Sequence, residues 1–307
     1  MKMLKAVVLL ASTMMACVAQ APGDDDVGVE VQEELGVTTQ AHQQDAVIRR
    51  VTLNTGVTLS YLEQGSRHGE PVIFLHGYSD SHRSFDLNLP SLSRRYHVYA
   101  LDQRGHGDSS KPTCCYRQSD FANDVIAFMN ALHIGRATLV GHSMGSLIAH
   151  KVASEWPGRI EKLVLIGSGP TLAGNEAALS FEPAVDSLVD PVDQTFIYEF
   201  QASTFYRPIP ASYLDTAVAE SAKLPASVWQ QALDGMLAED HTAKLKRFRA
   251  KTLIFWGHQH VFFGAADQQT LTSQIKRSRL RVYPQTGHGL HVESPRKFVR
   301  DLEAFLD

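Results

Sequence analysis

Residues 141–145, which read Gly-His-Ser-Met-Gly, are the strongest candidate for a catalytic segment in this sequence. They follow a short apolar run over 137–140 and precede a stretch with helical spacing that starts near Ser146. A serine on such a strand-to-helix turn is lifted out at the sheet edge, where its hydroxyl can attack an acyl carbon. The flanking glycines relieve the clashes that so sharp a bend would impose on larger residues. We therefore predict that Ser143 is a nucleophile.

A serine hydroxyl needs an adjacent base. The chain has 14 histidines, so the choice among them depends on position. His288 follows the last predicted strand near the end of the chain, and the order nucleophile then histidine suits this arrangement. His142 is next to the serine in sequence but is predicted to point elsewhere, and His291 is interpreted as structural. We therefore predict that His288 is the base.

A candidate oxyanion hole lies upstream. Residues 76–78, His-Gly-Tyr, directly follow a predicted buried strand over 71–75. In this arrangement that loop donates one backbone N–H to the oxyanion, and the residue after the serine donates the other. Each such donor stabilises the tetrahedral intermediate by about 3 kcal/mol. We predict that the N–H groups of Tyr78 and Met144 form the hole.

Eight short apolar segments supply the strands that must position these residues. Most are continuous apolar runs, which are typical of strands covered on both faces of a sheet. Helical spacing between them, as over 120–132, predicts strand–helix alternation and a mostly parallel sheet. The predicted strands cover residues 47–53, 57–61, 71–75, 97–101, 137–140, 163–166, 252–256 and 280–283.

One connection, from Ile166 to Thr252, is far longer than a simple crossover needs. Helical patterns fill much of it, including 192–201 and 226–238. Aromatic residues recur along it, namely Phe181, Phe196, Tyr198, Phe200, Phe205, Tyr206, Tyr213 and Trp229. We predict a helical cap over the carboxyl ends of the strands.

The first residues carry a targeting pattern. Two lysines within residues 1–5 and an apolar run to about Ala19 predict a signal peptide over 1–19. Cys17 follows Met-Met-Ala, which resembles a bacterial lipoprotein box, and acylation there would anchor the protein to a membrane without a spanning segment. Cleavage after Ala19 is the alternative. We expect an exported protein, either periplasmic or a membrane-anchored lipoprotein, with simple secretion as the second option.

The composition of the chain limits which classes of partner it can bind. Residues 20–45 are acidic and polar and are predicted to form a disordered tether. A formal charge of −4 gives no basic surface for nucleic acid and no polybasic membrane patch. We therefore expect a small-molecule substrate, no cofactor, and membrane contact only through an N-terminal lipid. The adjacent Cys114 and Cys115 are interpreted as unpaired thiols.

From about residue 48 to 307 the sequence resembles the α/β-hydrolase superfamily, in its capped esterase-like branch. The segments that carry the resemblance are 76–78, 102–110, 141–145 and 287–288. The resemblance implies the α/β-hydrolase fold, with a mostly parallel eight-stranded sheet, helices on both faces and a helical cap inserted after the sixth strand. The core would span 46–169 and 251–307, and the cap 170–250. The loop over 102–110 would border the site in a structural role.

The resemblance also implies an acid that this sequence lacks. The family usually places it three residues after the glycine that ends the penultimate strand, where this chain has His260. The other usual place, after the sixth strand, reads Gly-Ser-Gly at 167–169. A neutral His260 could accept a hydrogen bond from His288, but it cannot supply the charge whose removal costs a serine protease about ten-thousand-fold.

Three interpretations of this missing acid stay open. Ser143 and His288 form a slow hydrolase, or an acid such as Asp267 replaces the missing one, or the pocket only binds. Histidines 258, 260 and 288 also provide zinc-ligand types. Because residues 258 and 260 would point to opposite sides of a loop, we predict no metal.

These observations predict a serine hydrolase that cleaves a small apolar carboxylic ester or lactone through an acyl-enzyme. The aromatic cap favours an apolar substrate. A serine nucleophile argues against relatives of this scaffold that use aspartate, the haloalkane dehalogenases and epoxide hydrolases. Carbon–carbon bond hydrolysis and perhydrolysis stay open on the same scaffold. The alternative is a catalytically impaired binding protein, because the usual acid position holds His260.

Overall fold

The computed structural model of the chain describes residues 46–307. The predicted signal peptide, Cys17 and the predicted tether lie outside the described residues. Across 46–307, no helix is both long and apolar enough to cross a membrane.

Eight strands form one sheet, in the order β1-β2-β4-β3-β5-β6-β7-β8. Only β2 runs antiparallel to its neighbours, and every other pair is parallel. The strands are β1 Val47–Thr52, β2 Thr58–Gly65, β3 Pro71–Leu75, β4 His97–Leu101, β5 Ala137–His142, β6 Ile160–Ile166, β7 Lys251–Gly257 and β8 Ser278–Tyr283. The predicted eight-stranded, mostly parallel sheet is confirmed.

Helices cover both faces of the sheet because its central strands are apolar on both sides. Alternate residues of β3 enter different clusters, with Ile73 in one apolar core and Phe74 in the other. Helix residues complete both cores, Phe128 on the first side and Phe298 on the second. The helices are α1 Gln118–Ala131, α2 Met144–Glu155, α3 Glu176–Asp186, α4 Gln194–Ser203, α5 Ala211–Ser221, α6 Ala226–Ala238, α7 Ala265–Gln274, α8 Leu290–Glu293 and α9 Pro295–Leu306.

Four of these helices, α3 to α6, form the predicted cap between β6 and β7. Side chains cap two of them, since Asn175 accepts from the third N–H of α3 and Asp193 does the same for α4. Trp229 of α6 is fully buried, and its ring lies edge-on to that of Tyr78 at 5.2 Å. The Tyr78 hydroxyl also donates to the Trp229 carbonyl at 2.6 Å. The cap is therefore joined to the loop after β3.

The loop over 102–110 is held by its own first residue. The Asp102 carboxylate accepts hydrogen bonds from the backbone N–H and the Nδ1 of His82, and from the backbone N–H of Asp108. These contacts support its interpretation as structural. Beyond the loop, Cys114 and Cys115 are joined by a disulfide, which corrects the interpretation that both are unpaired thiols.

Candidate active site

Ser143 lies on the turn between β5 and α2, as its motif predicts. Its φ of 51° and ψ of −118° are strained for a residue with a side chain. A backbone hydrogen bond stabilises this strained conformation, because the Ser143 N–H donates to the Ile166 carbonyl of β6 at 2.9 Å. The turn therefore presents the serine at the carboxyl end of the sheet, beneath the cap.

The two glycines of the motif are needed for close backbone approach. A Cβ on Gly141 would lie 2.3 Å from the Gly145 carbonyl oxygen, and a Cβ on Gly145 would lie 2.2 Å from the Leu75 carbonyl oxygen. Both neighbours are backbone atoms of packed elements, so they cannot move aside easily. The first turn of α2 is therefore pressed against the end of β3.

Replacing Gly145 with alanine is expected to lower the free energy of unfolding by about 1–3 kcal/mol, because the added methyl overpacks the contact with β3. The matched control is Gly158→Ala, since a Cβ there meets nothing within 4 Å. Chemical denaturation of both variants measures the difference. Equal stability of the two would show that the close contact is not a constraint.

The two predicted oxyanion donors lie on the segments that this contact joins. Met144 is the first residue of α2, and the first N–H groups of a helix have no partner within the helix. Tyr78 follows β3, against which that helix start is pressed, and it lines a cavity with Ser143. An oxyanion hole formed by these two N–H groups stays a prediction.

Ser143 and His288 are brought together, since both line two cavities under the cap. One cavity, of about 20 Å³, has the larger share of polar side chains and is termed the polar cavity; it is lined also by Gly77, Tyr78, Asp80, Ser84, His142, Gln201, Thr204, Phe205, Tyr213, Gly289, His291 and Val292. The other, of about 40 Å³, is apolar and is lined also by Met144, Leu147, Leu172, Phe181, Leu233, Met236, Phe262 and Phe263. No hydrogen bond links the serine hydroxyl to the imidazole within the described range. Such contacts often tighten only when substrate binds.

His260 occupies the usual acid position and does contact the base. Its Nε2 lies 2.6 Å from the Nδ1 of His288. Its own Nδ1 accepts hydrogen bonds from the backbone N–H groups of Phe262 and Phe263, each at 3.1 Å. A neutral imidazole carries its proton on one nitrogen only. Because Nδ1 of His260 is the acceptor, the proton lies on Nε2.

The protonation of His260 dictates that of His288. The Nε2–H of His260 donates to Nδ1 of His288, so a neutral His288 carries its own proton on Nε2. A general base for Ser143 needs that nitrogen free. The sequence interpretation, in which His260 accepts a hydrogen bond from His288, is therefore wrong about the direction of the bond.

Both imidazoles are neutral near pH 7. Desolvation lowers the pKa of His260 to about 3. Burial, with smaller contributions from His260, His142 and His291, lowers the pKa of His288 well below 6.5. With no carboxylate on its Nδ1, the imidazolium that forms during acyl transfer lacks a compensating charge.

The alternative acid does not reach the base. Asp267 lies in the first turn of α7, where its carboxylate accepts from the Gly264 N–H at 2.8 Å and caps the helix. The three histidines of the zinc hypothesis do not converge on one point, because His258 is exposed while His260 faces His288 directly. Among residues 46–307, no group of three or more potential ligands could hold a metal ion.

Sequence reasoning did not place Asp80, His142 or His291 in the site, although all three line the polar cavity. The His142 ring lies 4.7 Å from that of His288, and its Nε2 lies 3.3 Å from the His288 carbonyl oxygen. The prediction that His142 points away is therefore wrong. Asp80 is three residues beyond Gly77, and this proximity to the oxyanion loop was the available signal.

Comparisons with known proteins agree with this architecture. The model of the alpha/beta hydrolase fold family matches residues 70–295. The 2-(acetamidomethylene)succinate hydrolase of Mesorhizobium japonicum is 29% identical over 276 residues, which cover 85% of this chain and 95% of the relative. A non-heme chloroperoxidase of Streptomyces lividans is 28% identical over 280 residues, covering 83% and 98%. An esterase structure from Exiguobacterium antarcticum gives a TM-score of 0.77 at 22% identity, covering 84% and 99%.

Proposed function

The chain belongs to the α/β-hydrolase family, and from this premise we propose a serine hydrolase that cleaves a small carboxylic ester or lactone slowly. The observation that carries the proposal is the position of Ser143 on a strained turn, in two cavities that it shares with His288. A strained serine at this place is the arrangement of a nucleophile. The relative from Mesorhizobium japonicum, which is named as a hydrolase, supports the reaction class.

In the proposed reaction, the Ser143 hydroxyl attacks the acyl carbon while Nε2 of His288 takes its proton. The N–H groups of Tyr78 and Met144 stabilise the oxyanion. Protonated His288 then returns the proton to the leaving alcohol, and water releases the acyl group by the same steps in reverse.

The resting protonation state opposes the first step. Freeing Nε2 of His288 moves its proton to Nδ1, which requires His260 to move its own proton from Nε2 to Nδ1. That transfer removes the acceptor for the N–H groups of Phe262 and Phe263. Each lost hydrogen bond costs about 1 kcal/mol, and more where the donor stays buried. The reactive tautomer is therefore a minor species, which is why we propose a slow enzyme.

Replacing Ser143 with alanine tests the proposal. We expect hydrolysis of p-nitrophenyl butyrate to fall by about 10²-fold, the smaller end of what a positioned nucleophile and base contribute. The control is Ser154→Ala, because Ser154 lies on the same helix, donates to the Lys151 carbonyl and does not line either cavity. Equal turnover by wild type and Ser143→Ala would contradict the proposed function.

A second function has one observation in its favour. The tautomer that His260 imposes on His288 suits a pocket that binds an ester without cleaving it. Saturable binding of butyrate esters, with no turnover above that of Ser143→Ala, would favour a binding protein over the hydrolase.

A further inference from the structure

Asp80 lines the polar cavity beside Ser143, and its carboxylate is paired with no Lys or Arg among residues 46–307. Its Oδ1 accepts from Nε2 of Gln201 at 3.1 Å, and its Oδ2 accepts from the Ser84 hydroxyl at 3.3 Å. Its side chain is only 15% exposed. Carboxylates this deep in a protein are normally paired with a positive charge.

His142, which lies within ion-pair distance of Asp80, does not supply that charge. Nδ1 of His142 lies 3.9 Å from Oδ2 of Asp80. Burial lowers the pKa of His142 to about 4, so the ring is neutral near pH 7. Its Nε2 faces the His288 carbonyl, which places the proton there and leaves Nδ1 as an acceptor. Two acceptors therefore face each other with no hydrogen bond joining them.

His142 provides independent support for a missing ligand group. The residue is 5% exposed, it lines the polar cavity, and its Nδ1 has no hydrogen-bond partner within the described residues. A buried acceptor without a partner is costly. One nitrogen donor could lie at hydrogen-bond distance, about 2.8 Å, from both acceptors, since they are 3.9 Å apart.

The shape of the site indicates how a substrate would use this donor. The polar and apolar cavities meet at Ser143 and His288, so the two branches of an ester would enter one cavity each. The polar cavity, of about 20 Å³, admits a group about the size of a water molecule. A primary ammonium has that size and three N–H donors.

We propose that Asp80, with His142, forms a subsite for a primary ammonium group, so that the preferred substrate is an ester with one apolar and one short cationic branch. This inference rests on the proposed function for its reaction and names the substrate class of the same site. Desolvation raises the pKa of Asp80 to about 6, so the carboxylate is ionised at pH 7.5 and is available to the cation.

Two isosteric ester pairs test the subsite at pH 7.5. One pair carries the ammonium on the acyl side, p-nitrophenyl 3-aminopropanoate against p-nitrophenyl butyrate. The other carries it on the alcohol side, 2-aminoethyl against propyl butyrate. We expect kcat/KM to favour the ammonium ester at least about tenfold in one pair, which is one ordinary charge-assisted contact. Asp80→Asn should remove that preference.

The control variant is Asp86→Asn. Asp86 pairs with Arg83 and does not line the polar cavity, so the ratio should stay as in wild type. The ratio within each variant is independent of any general loss of activity, and thermal denaturation checks that the variants fold. No ammonium preference in either pair, or a preference that survives Asp80→Asn, would overturn the subsite.

Failure of the proposed function would look different. If no ester is turned over above the Ser143→Ala rate, the hydrolase proposal fails while the subsite can still be measured. Calorimetry then tests the subsite by comparing how tightly butylammonium binds to Ser143→Ala and to the double variant that also carries Asp80→Asn. Binding at least tenfold weaker after Asp80→Asn supports the subsite, and unchanged or absent binding overturns it.

Discussion

Replacing His260 with aspartate is expected to raise kcat/KM for p-nitrophenyl butyrate by about 10³- to 10⁴-fold, the range lost when a triad carboxylate is removed. An aspartate can accept the N–H groups of Phe262 and Phe263, which His260 accepts now. It can also accept a proton held on Nδ1 of His288, which leaves Nε2 free for Ser143. Steady-state kinetics at neutral pH measures the gain.

Two further variants sharpen this experiment. Aspartate is shorter than histidine, so His260→Glu provides a second carboxylate with longer reach. His258→Asp is the matched control, because His258 is exposed and does not touch the base. If neither His260→Asp nor His260→Glu exceeds the wild-type rate, another group already orients His288.

The pH profile gives a readout that a merely structural effect would not change. In the wild type, burial keeps the pKa of His288 well below 6.5, so the base form persists into acidic solution. A carboxylate at position 260 stabilises the imidazolium and raises that pKa. The acid limb of the rate profile should therefore move to higher pH in His260→Asp, although the plateau rate rises.

Replacing Trp229 with alanine is expected to lower the free energy of unfolding by about 3–5 kcal/mol. The side chain is fully buried and packs edge-on against Tyr78, Phe196 and Phe200. Its removal leaves a cavity between the cap and the loop that carries a predicted oxyanion donor. Urea denaturation, followed by circular dichroism, measures the loss.

The control for this prediction is Tyr198→Ala. Tyr198 is an aromatic residue of the same cap, but it is 51% exposed, and its removal should change stability by less than about 0.5 kcal/mol. Equal effects of the two variants would mean that the Trp229 contacts do not hold the cap to the core.

Local patterns in the sequence were enough to predict the fold and to identify the nucleophile. Continuous apolar runs predicted the five central strands, β3 to β7, because burial on both faces leaves a signal within each segment. The outer strands β1, β2 and β8 are partly exposed and carry a weaker pattern. The serine at 143 was predictable for the same reason, since a strand, a sharp turn and a helix are consecutive in the chain. The position of His288 after the last strand followed from chain order alone.

Tertiary structure decided the chemistry around these residues. Whether His260 donates to His288 or accepts from it depends on two backbone N–H groups, those of Phe262 and Phe263, that close on its ring in space. The proximity of Asp80 to His142, 62 positions apart in the chain, depends on the packing of two separate loops. Protonation states respond to every group within a few ångströms, whatever its place in the chain. For that reason the sequence alone identified Ser143, His288 and His260, and the folded chain decided what surrounds them and which of them carries the proton.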